Sequence, residues 1–255
     1  MSILIEKLGA VTVIWLDRAD KLNALSRRML EEMSEAFKQL ESDVRAVILA
    51  STNEQALSAG TDIGELSALD EAAAREASQR GQEVCDLIER SPVPVIAAVG
   101  GVAAGGGCEL ALACHLRVAS VDAVFSLPET KLGMIPAYGG TQRLARIIGE
   151  GRALELMLTG AKLTASEALR LGLVNRLAER ENLFAEAEAL AREIAVHAPL
   201  AIRACLEAVT RGLALPLAEG LALEAELFSQ LFATADVREG TRAFLEKRAP
   251  VFKGR

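Results

Sequence analysis

Two short and nearly continuous apolar runs constrain the fold of this chain most strongly. They are VRAVILAS at residues 44–51 and PVPVIAAVGG at residues 92–101. Neither run alternates between apolar and polar residues, which is typical of strands that are buried on both faces of a parallel sheet. A helical pattern over residues 71–90 separates them and ends at Ser91-Pro92. Parallel strands joined by a helix predict an α/β fold with right-handed crossovers.

Further elements fit the same class. Alternating residues predict a strand over 11–16, and residues 22–43 predict an amphipathic helix. The apolar face of that helix would carry Leu25, Met29, Leu30, Met33, Phe37 and Leu40. The short helix ELALACHL is then followed by the apolar segments RVAS and AVFSL, which we expect to be strands.

Beyond about Gly139, alanine- and leucine-rich helical patterns dominate the chain. The main predicted helices cover residues 165–171, 183–197, 199–211 and 217–233. We therefore predict a core at residues 1–195 that carries the site, and a C-terminal helical region at residues 196–255. The apolar faces of this region would either pack on another subunit or cover the core, and the sequence leaves both alternatives open.

Composition and charge exclude several classes of function. The chain has 255 residues, of which 51% are hydrophobic, and its formal net charge is −7. This acidic balance and the absence of a dominant basic cluster argue against nucleic acid as a partner. No apolar run reaches the length of a membrane span. The N-terminal stretch MSILIEK lacks the features of a signal peptide, so we expect a cytoplasmic protein.

Cysteine and histidine offer no metal or disulfide pattern. The four cysteines form no CxxC pair, and we expect reduced thiols in a reducing compartment. The two histidines, His115 and His197, lie far apart in the sequence and include no HExxH motif. A zinc site is therefore not predicted.

The glycine stretch GGVAAGGGCELALAC, residues 100–114, runs directly into a helical pattern. It matches neither GxGxxG nor a P-loop, which argues against nucleotide binding. Glycines there would either let two backbones pack closely or let a substrate approach the free N–H groups of a helix N-terminus. In the second case the amide of Gly106 would donate to an oxygen that becomes negative during the reaction. Glu109 would lie beside it, unless it only stabilises the helix dipole.

Two further loops carry candidate groups. Glu129 lies in SLPETKLGMIPAYGG, where Pro and Gly residues indicate a loop, and a second carboxylate could share acid–base work with Glu109. The turn in LSAGTDIGEL could present a second N–H, that of Thr61, after Gly60. The alternative for this turn is an ordinary strand-to-helix loop with Asp62 as the helix cap.

Four segments together resemble the enoyl-CoA hydratase branch of the crotonase superfamily. The resemblance runs from RADKLNAL at residues 18–25 to DVREGTRAFLEKR near the C-terminus. It implies a crotonase-like spiral of ββα repeats with a C-terminal helical trimerisation region, assembled as a trimer or a dimer of trimers. The segments that carry it are LSAGTDI, PVIAAVGGVAAGGGCELALAC, LPETKLGMIPAYGGTQRL and LTGAKLTASEALRLGLVNRL.

The resemblance implies roles for individual residues. The amides of Thr61 and Gly106 would form an oxyanion hole for an acyl-CoA thioester, and Glu109 and Glu129 would add water to a 2-enoyl-CoA, giving a 3-hydroxyacyl-CoA. Neither a metal nor a redox cofactor is implied, since coenzyme A is part of the substrate. The implied binding residues for CoA and substrate are Lys21, Ala24, Ala59, Gly60, Asp62 and Ile63, with Phe244 and Lys247 reaching a neighbouring chain's CoA.

Other functions remain possible at this level. An enoyl-CoA isomerase on the same scaffold would need one base and not a pair of carboxylates. A CoA-thioester-binding protein without catalysis, or an RNA binder, belongs to a different class, although the acidic charge argues against RNA. The sequence leaves the acyl chain length open, and we expect residues 66–88 with Ala137 and Tyr138 to form the wall that sets it.

Overall fold

Ten strands form two sheets in the computed structural model, which describes residues 2–255. The larger sheet has the order β1-β2-β3-β5-β7-β10, and the smaller sheet has the order β4-β6-β8-β9. The strands are β1 (Ile3–Leu8), β2 (Val11–Leu16), β3 (Ala46–Ser51), β4 (Ala56–Ser58), β5 (Val95–Val99), β6 (Val102–Ala104), β7 (Leu116–Ser120), β8 (Val124–Ser126), β9 (Leu163–Thr164) and β10 (Arg176–Ala178).

Eleven α-helices accompany these strands within residues 2–255. They are α1 (Arg27–Lys38), α2 (Ile63–Leu66), α3 (Glu71–Glu89), α4 (Gly106–Ala113), α5 (Gly140–Ile148), α6 (Glu150–Thr159), α7 (Ala165–Arg170), α8 (Leu183–Ala195), α9 (Pro199–Gly212), α10 (Leu217–Leu231) and α11 (Ala235–Glu246). Short 3₁₀ turns at 19–21, 129–132 and 180–182 link some of them.

The two apolar runs form neighbouring parallel strands, as predicted. β3 and β5 pair in parallel, with Ile48 opposite Ile96, and their side chains are almost completely buried. β2, β7 and β10 continue the sheet in parallel, and β1 pairs antiparallel with β2 as a hairpin. The predicted α/β class is therefore confirmed for the described residues.

A repeat of two strands and a helix builds the core. β3, β5 and β7 lie in the large sheet, and each is followed by a strand of the small sheet, respectively β4, β6 and β8. A helical segment then returns the chain to the large sheet. Since β4, β6 and β8 run parallel to one another, successive loops that leave them lie side by side. This arrangement brings the glycine turns and Glu129 to one region.

The first helix begins later than the sequence pattern predicts. α1 starts at Arg27, and the hydroxyl of Ser26 accepts a hydrogen bond from Met29 N as its cap. Leu25 therefore lies outside the helix, and its assignment to the helical face was wrong. Its N–H donates to the carbonyl of Gly60, and its carbonyl accepts from Asp62 N, so tertiary contacts hold this segment in a bridge.

The remaining differences concern very short strands. β4, β6, β9 and β10 have two or three residues each, too few to produce a recognisable period in the sequence. β9 and β10 interrupt the region after Gly139, which the sequence predicts as mainly helical. They form because partner strands are already in place beside them.

The C-terminal helices differ from the core in their burial. α8 lies against the large sheet, where Phe184 stacks on Trp15 with ring centroids 4.9 Å apart. α9 and α10 contain no buried residue, and they pack mainly on each other. Within residues 2–255, no helix has the length and apolar composition that a membrane crossing requires.

Candidate active site

The glycine stretch forms the turn between β6 and α4. α4 begins at Gly106, and all eight of its residues are buried. At Gly107 a side-chain carbon would come within 2.5 Å of the carbonyl oxygen of Ser58, so close packing of two backbones explains that glycine. At Gly106 such a carbon would lie 3.0 Å from Thr61 Oγ1 and 3.0 Å from the ring of Tyr138. Close packing therefore explains Gly107, and the approach of a substrate at Gly106 stays a prediction.

The Gly60-Thr61 turn lies directly against the start of α4. Gly60 has φ +105°, and a side-chain carbon there would lie 2.9 Å from Ala104 O and 3.5 Å from Gly106 N. Neither Thr61 N nor Gly106 N donates a hydrogen bond to an acceptor within residues 2–255. Two neighbouring amide N–H groups are thus available to an oxygen at the positive end of a helix.

Glu109 is held rigidly in the first turn of α4. Its side chain is only 2% exposed. Its Oε1 accepts hydrogen bonds from Tyr138 N at 2.8 Å and from Gly140 N at 2.7 Å. A glutamate that only favoured the helix dipole would not need these two donors from a distant loop. The geometry therefore favours a carboxylate that is positioned for a task.

Glu129 approaches the same turn from the other loop. It opens the 3₁₀ turn that follows β8, and its Oε1 lies 3.1 Å from the place of a side-chain carbon on Gly105, the residue before α4. Its Oε2 is buried and has no hydrogen-bond partner within residues 2–255. Since buried polar atoms are nearly always paired, this oxygen is a candidate to face a ligand.

Both carboxyl groups have raised pKa values. Burial raises the pKa of Glu109 to about 7, against the N–H donor of Gly140, and the charge of Glu129 adds to the rise. Burial also raises the pKa of Glu129. Two carboxyls beside one helix terminus resist double ionisation, because each charge disfavours the other. Such a pair can hold one proton and one charge near neutral pH, which acid–base catalysis requires.

Comparison with known proteins assigns this arrangement to a family. The model of the enoyl-CoA hydratase/isomerase family matches residues 6–255. The chain belongs to the enoyl-CoA hydratase/isomerase family. This membership confirms the resemblance to the crotonase superfamily that the motifs indicate.

Individual relatives support the family assignment and the fold. The chain is 40% identical to a short-chain-enoyl-CoA hydratase of Clostridium acetobutylicum, over 97% of this chain and 95% of that protein. It is 39% identical to a crotonyl-CoA hydratase of Syntrophomonas wolfei, over 98% and 97% of the two chains. A crystal structure of enoyl-CoA hydratase from Bacillus anthracis superimposes with a TM-score of 0.97 at 39% identity, covering 100% of both chains. The predicted crotonase-like fold is thereby confirmed.

The loop that holds Glu109 is itself fixed to α3 in this member of the family. Arg143 donates to Tyr138 O at 3.0 Å and forms ion pairs with Glu89 at 2.7 Å and Asp86 at 2.8 Å. Ser78 and Gln82, both on α3, donate to Ala137 O at 2.8 and 3.0 Å. Sequence reasoning missed these supports. Only the glycine pair at 139–140 signals that a backbone N–H is used in this loop.

Six of the predicted CoA-binding residues come together beside Thr61. Segments 21–25 and 59–63 run side by side, joined by Ala59 N to Leu22 O at 2.9 Å and Leu25 N to Gly60 O at 2.7 Å. Lys21, Ala24, Ala59, Gly60, Asp62 and Ile63 all lie on these two segments.

Asp62 already has partners within the chain. Its side chain caps α2 by accepting from Gly64 N, and it forms an ion pair with Arg18 at 2.7 Å. Arg18 holds the pKa of Asp62 below its usual range. The alternative function as a helix cap is therefore confirmed, and its contribution to CoA binding stays a prediction.

Phe244 and Lys247 lie elsewhere, near the end of α11. The side chain of Phe244 is 83% exposed, and Lys247 closes the helix with φ +54°. Lys247 is itself exposed. A single chain gives neither side chain a partner at the site, which is consistent with their predicted use by a neighbouring chain.

No group of three or more His, Cys, Asp or Glu residues suited to a metal ion occurs within residues 2–255. The four cysteines are free, and Cys85, Cys108 and Cys114 are buried. Burial raises the pKa of Cys114 to about 12 and that of Cys85 further, so neither is a thiolate near neutral pH.

Proposed function

We propose that this protein is an enoyl-CoA hydratase, which adds water across the 2,3 double bond of a 2-enoyl-CoA to give a 3-hydroxyacyl-CoA. The observation that carries this proposal is the convergence of the buried carboxyl of Glu109 and the half-buried carboxyl of Glu129, whose Oε2 is buried without a partner within residues 2–255, on a helix N-terminus with two available amides. Relatives named as hydratases, at about 40% identity over nearly the full chain, support the same reaction.

The first step is polarisation of the thioester. Its carbonyl oxygen accepts hydrogen bonds from Thr61 N and Gly106 N, beside the positive end of α4. These donors are fixed before the substrate arrives, so they stabilise the enolate-like charge on that oxygen without reorganising. The electron-poor double bond can then be attacked at the β-carbon.

The second step is the addition of water. Glu109 acts as a carboxylate, because Tyr138 N and Gly140 N both donate to its Oε1 and favour the charged form. It takes one proton from the water while the oxygen forms a bond to the β-carbon. In this proposal Glu129 starts as the protonated partner and gives its proton to the α-carbon; its Oε2, which is buried without a partner within residues 2–255, is the oxygen that faces the substrate. Glu109 then releases the proton it gained to solvent and Glu129 takes up a proton from solvent, which restores the starting state.

An isomerase is the competing function on this scaffold. It would move a proton between two carbons with one base, and it would need no second carboxyl to hold a water. The structure keeps both carboxyls beside one turn, and this favours hydration.

The same proposal includes the cellular setting. We propose that the enzyme needs no cofactor apart from the CoA of its substrate, and that it serves fatty-acid β-oxidation or a related degradation of acyl-CoA. A cytoplasmic location would keep its four free cysteines reduced. We further propose a homo-oligomer, a trimer or a dimer of trimers, in which Phe244 and Lys247 contact the CoA bound by a neighbour. The exposed apolar side chains of the C-terminal helices support this assembly.

The test compares two reactions of the purified protein. Hydration of crotonyl-CoA is followed by the loss of ultraviolet absorbance of the conjugated thioester, and isomerisation of a 3-enoyl-CoA is followed by its gain. We expect hydration to be the faster reaction. A folded protein that isomerises 3-enoyl-CoA but leaves crotonyl-CoA unchanged would overturn the proposal in favour of the isomerase.

A further inference from the structure

The carboxyl of Glu129 is held in a different way from that of Glu109. Glu109 is fixed through its carboxyl, because Tyr138 N and Gly140 N both donate to its Oε1. In contrast, the Oε2 of Glu129 is buried without a partner within residues 2–255. Its Oε1 lies 3.1 Å from the place of a side-chain carbon on Gly105, against the backbone that enters α4. The place of this carboxyl therefore depends on where the backbone of its own turn lies.

Local hydrogen bonds fix the shape of this turn. Lys131 N donates to Pro128 O at 3.0 Å, and Met134 N donates to Glu129 O at 3.1 Å. Both bonds join atoms of the same segment, residues 128–134, so they do not set the distance between the turn and α4. Contacts with another element must set that distance.

The C-terminal end of α6 supplies these contacts. Thr130 Oγ1 donates to Met157 O at 2.7 Å, and Lys131 Nζ donates to Gly160 O at 2.7 Å. Gly160 closes α6 with φ +59°, and a side-chain carbon there would lie 2.5 Å from Lys131 Cε. The stem of Lys131 thus lies against the same glycine whose carbonyl its ammonium binds. The two residues that directly follow Glu129 both bind the end of one helix.

This helix end suits the two donors. The last four carbonyl groups of a helix have no partner inside it, and the end carries a negative partial charge that favours an ammonium group. Met157 is one of the last four residues of α6. Capping α6 would by itself be a structural role. The position of both donors directly after Glu129 adds a second consequence, because the helix end then fixes the backbone that carries this carboxyl.

The same pair of helices also supports the other carboxyl. α5 begins at Gly140, whose N–H donates to Glu109 at 2.7 Å. Only Gly149 separates α5 from α6, and the two helices pack on each other. The supports of both carboxyls therefore converge on α5 and α6, and the contacts of α6 bear on the separation between Glu109 and Glu129.

We infer that Thr130 and Lys131 position Glu129 for proton transfer, by tying its turn to the C-terminal end of α6. The inference rests on the proposed function for the step that Glu129 performs. It assigns neither Thr130 nor Lys131 a contact with the substrate, and both act through Glu129 as positioning residues.

The experiment measures kcat and KM for crotonyl-CoA in Thr130→Val, Lys131→Met and the variant that carries both changes. We expect kcat of the double variant to fall about 10–100-fold, because a misplacement of about 1 Å can cost about 10²-fold. KM should stay near that of the parent. Thr130→Ser keeps the hydroxyl and should retain most of the rate. Lys162→Met is the matched control, since it removes an exposed lysine two residues after Gly160, and it should leave kcat unchanged.

A double-mutant cycle separates positioning of Glu129 from general support of α6. In a protein that carries Glu129→Gln the general acid is already lost, so removing the donors of Thr130 and Lys131 should lower kcat no further. An equal loss in that background would overturn the inference, because the two residues would then act without Glu129. A normal kcat in the folded double variant would overturn it as well. If melting curves show that the double variant does not fold, Lys131→Met alone, at an exposed position, takes its place in the cycle.

Failure of the proposed function is recognised separately. If the parent isomerises a 3-enoyl-CoA but does not hydrate crotonyl-CoA, the hydratase proposal fails, and the same cycle measured on isomerisation tests the inference. Crystal structures of the parent and the double variant give a readout that needs no turnover. A turn at residues 129–132 that moves away from Gly105 in the variant supports the inference, and an unchanged Glu129 carboxyl overturns it whatever the activity.

Discussion

The central strands β3 and β5 are almost completely buried, whereas the apolar helices α9 and α10 bury no residue at all. In β3 and β5 every apolar side chain is buried by other elements of the same chain. In the C-terminal region, Leu213, Phe228 and Phe232 are 83%, 63% and 59% exposed. The difference in burial shows that a single chain buries the central strands of its catalytic core but leaves the apolar side chains of its C-terminal helices exposed.

The same contrast holds for polar groups. In the core, Glu109 has two backbone donors and a fixed loop behind it, and its carboxyl is buried. In the C-terminal region, Phe244 and Lys247 lie exposed at the end of α11. Clusters of exposed apolar residues of this kind mark interaction surfaces in soluble proteins. Variants in the two regions should therefore fail in different ways.

The largest effect is expected for the two core carboxyls. Glu109→Gln and Glu129→Gln should each lower the rate of crotonyl-CoA hydration about 10²–10⁴-fold, because a positioned acid or base contributes that much. The double variant should lose less than the product of the two single losses, since both groups serve one addition. Sedimentation should find the oligomer unchanged. Near-normal hydration by folded Glu109→Gln would contradict the proposed role of the pair.

The second effect concerns the amides of the core. Gly106→Pro removes one N–H at the first position of α4, where helices tolerate proline, and we expect a loss of turnover of about 10²–10³-fold. Gly106→Ala is the matched control, because it adds a side-chain carbon at the same place and keeps the N–H. Thr61→Ala should be mild, because it also keeps the amide. A folded Thr61→Ala protein without activity would show that the hydroxyl of Thr61, and not its amide, is required.

The third prediction concerns the pH dependence of the free energy of unfolding, which should differ between a core variant and a C-terminal variant. The pKa of Glu109 rises from 4.5 to about 7 on folding, so the folded core binds this proton more tightly than the unfolded chain does. The associated stability is present below pH 4.5 and is lost as the pH rises through about 7. Glu109→Gln removes this titration. The free energy of unfolding of this variant, minus that of the parent, should therefore rise by up to about 3 kcal/mol across that window.

Denaturant titrations at several pH values measure this difference. An exposed C-terminal variant, Phe228→Glu, should show no comparable trend between pH 5 and 8, because the glutamate introduced there remains in water. A constant difference between Glu109→Gln and the parent at all pH values would mean that the carboxyl of Glu109 titrates normally.

The smallest effect is expected in the C-terminal region. Phe228→Glu should weaken assembly by about 2 kcal/mol or more per contact, because it puts a charge where an aromatic anchor would be buried. Sedimentation should then show dissociation, while circular dichroism shows that the core stays folded. Glu219→Gln, at an exposed position of the same helix, is the matched control and should leave assembly intact. If the parent protein is itself a monomer at working concentration, the proposed role of these helices is wrong.

Much of the core could be predicted from local patterns. The continuous apolar runs identified the parallel strands, and the repeated glycine turns identified the loops that meet at the site. The carboxyls Glu109 and Glu129 were recognisable as candidates from the loop and helix start in which they occur. The supports behind them were not recognisable, because their partners are distant in the sequence. Ser78 and Gln82 donate to the carbonyl of Ala137, more than fifty residues away, and Arg143 forms ion pairs with Asp86 and Glu89, also more than fifty residues away.

By itself, the sequence determined the α/β class and the parallel strands of the large sheet, and it nominated the residues that we propose for hydration. These follow from periodicity and from residue type, which are local properties. Only the tertiary structure decided that Leu25 leaves its helix to bridge Gly60, that Tyr138 rests on Gly81, and that the amides at 138 and 140 hold Glu109. The physical reason is that hydrogen-bond partners and shared volume depend on which segments the sheets bring together, and no local pattern specifies that.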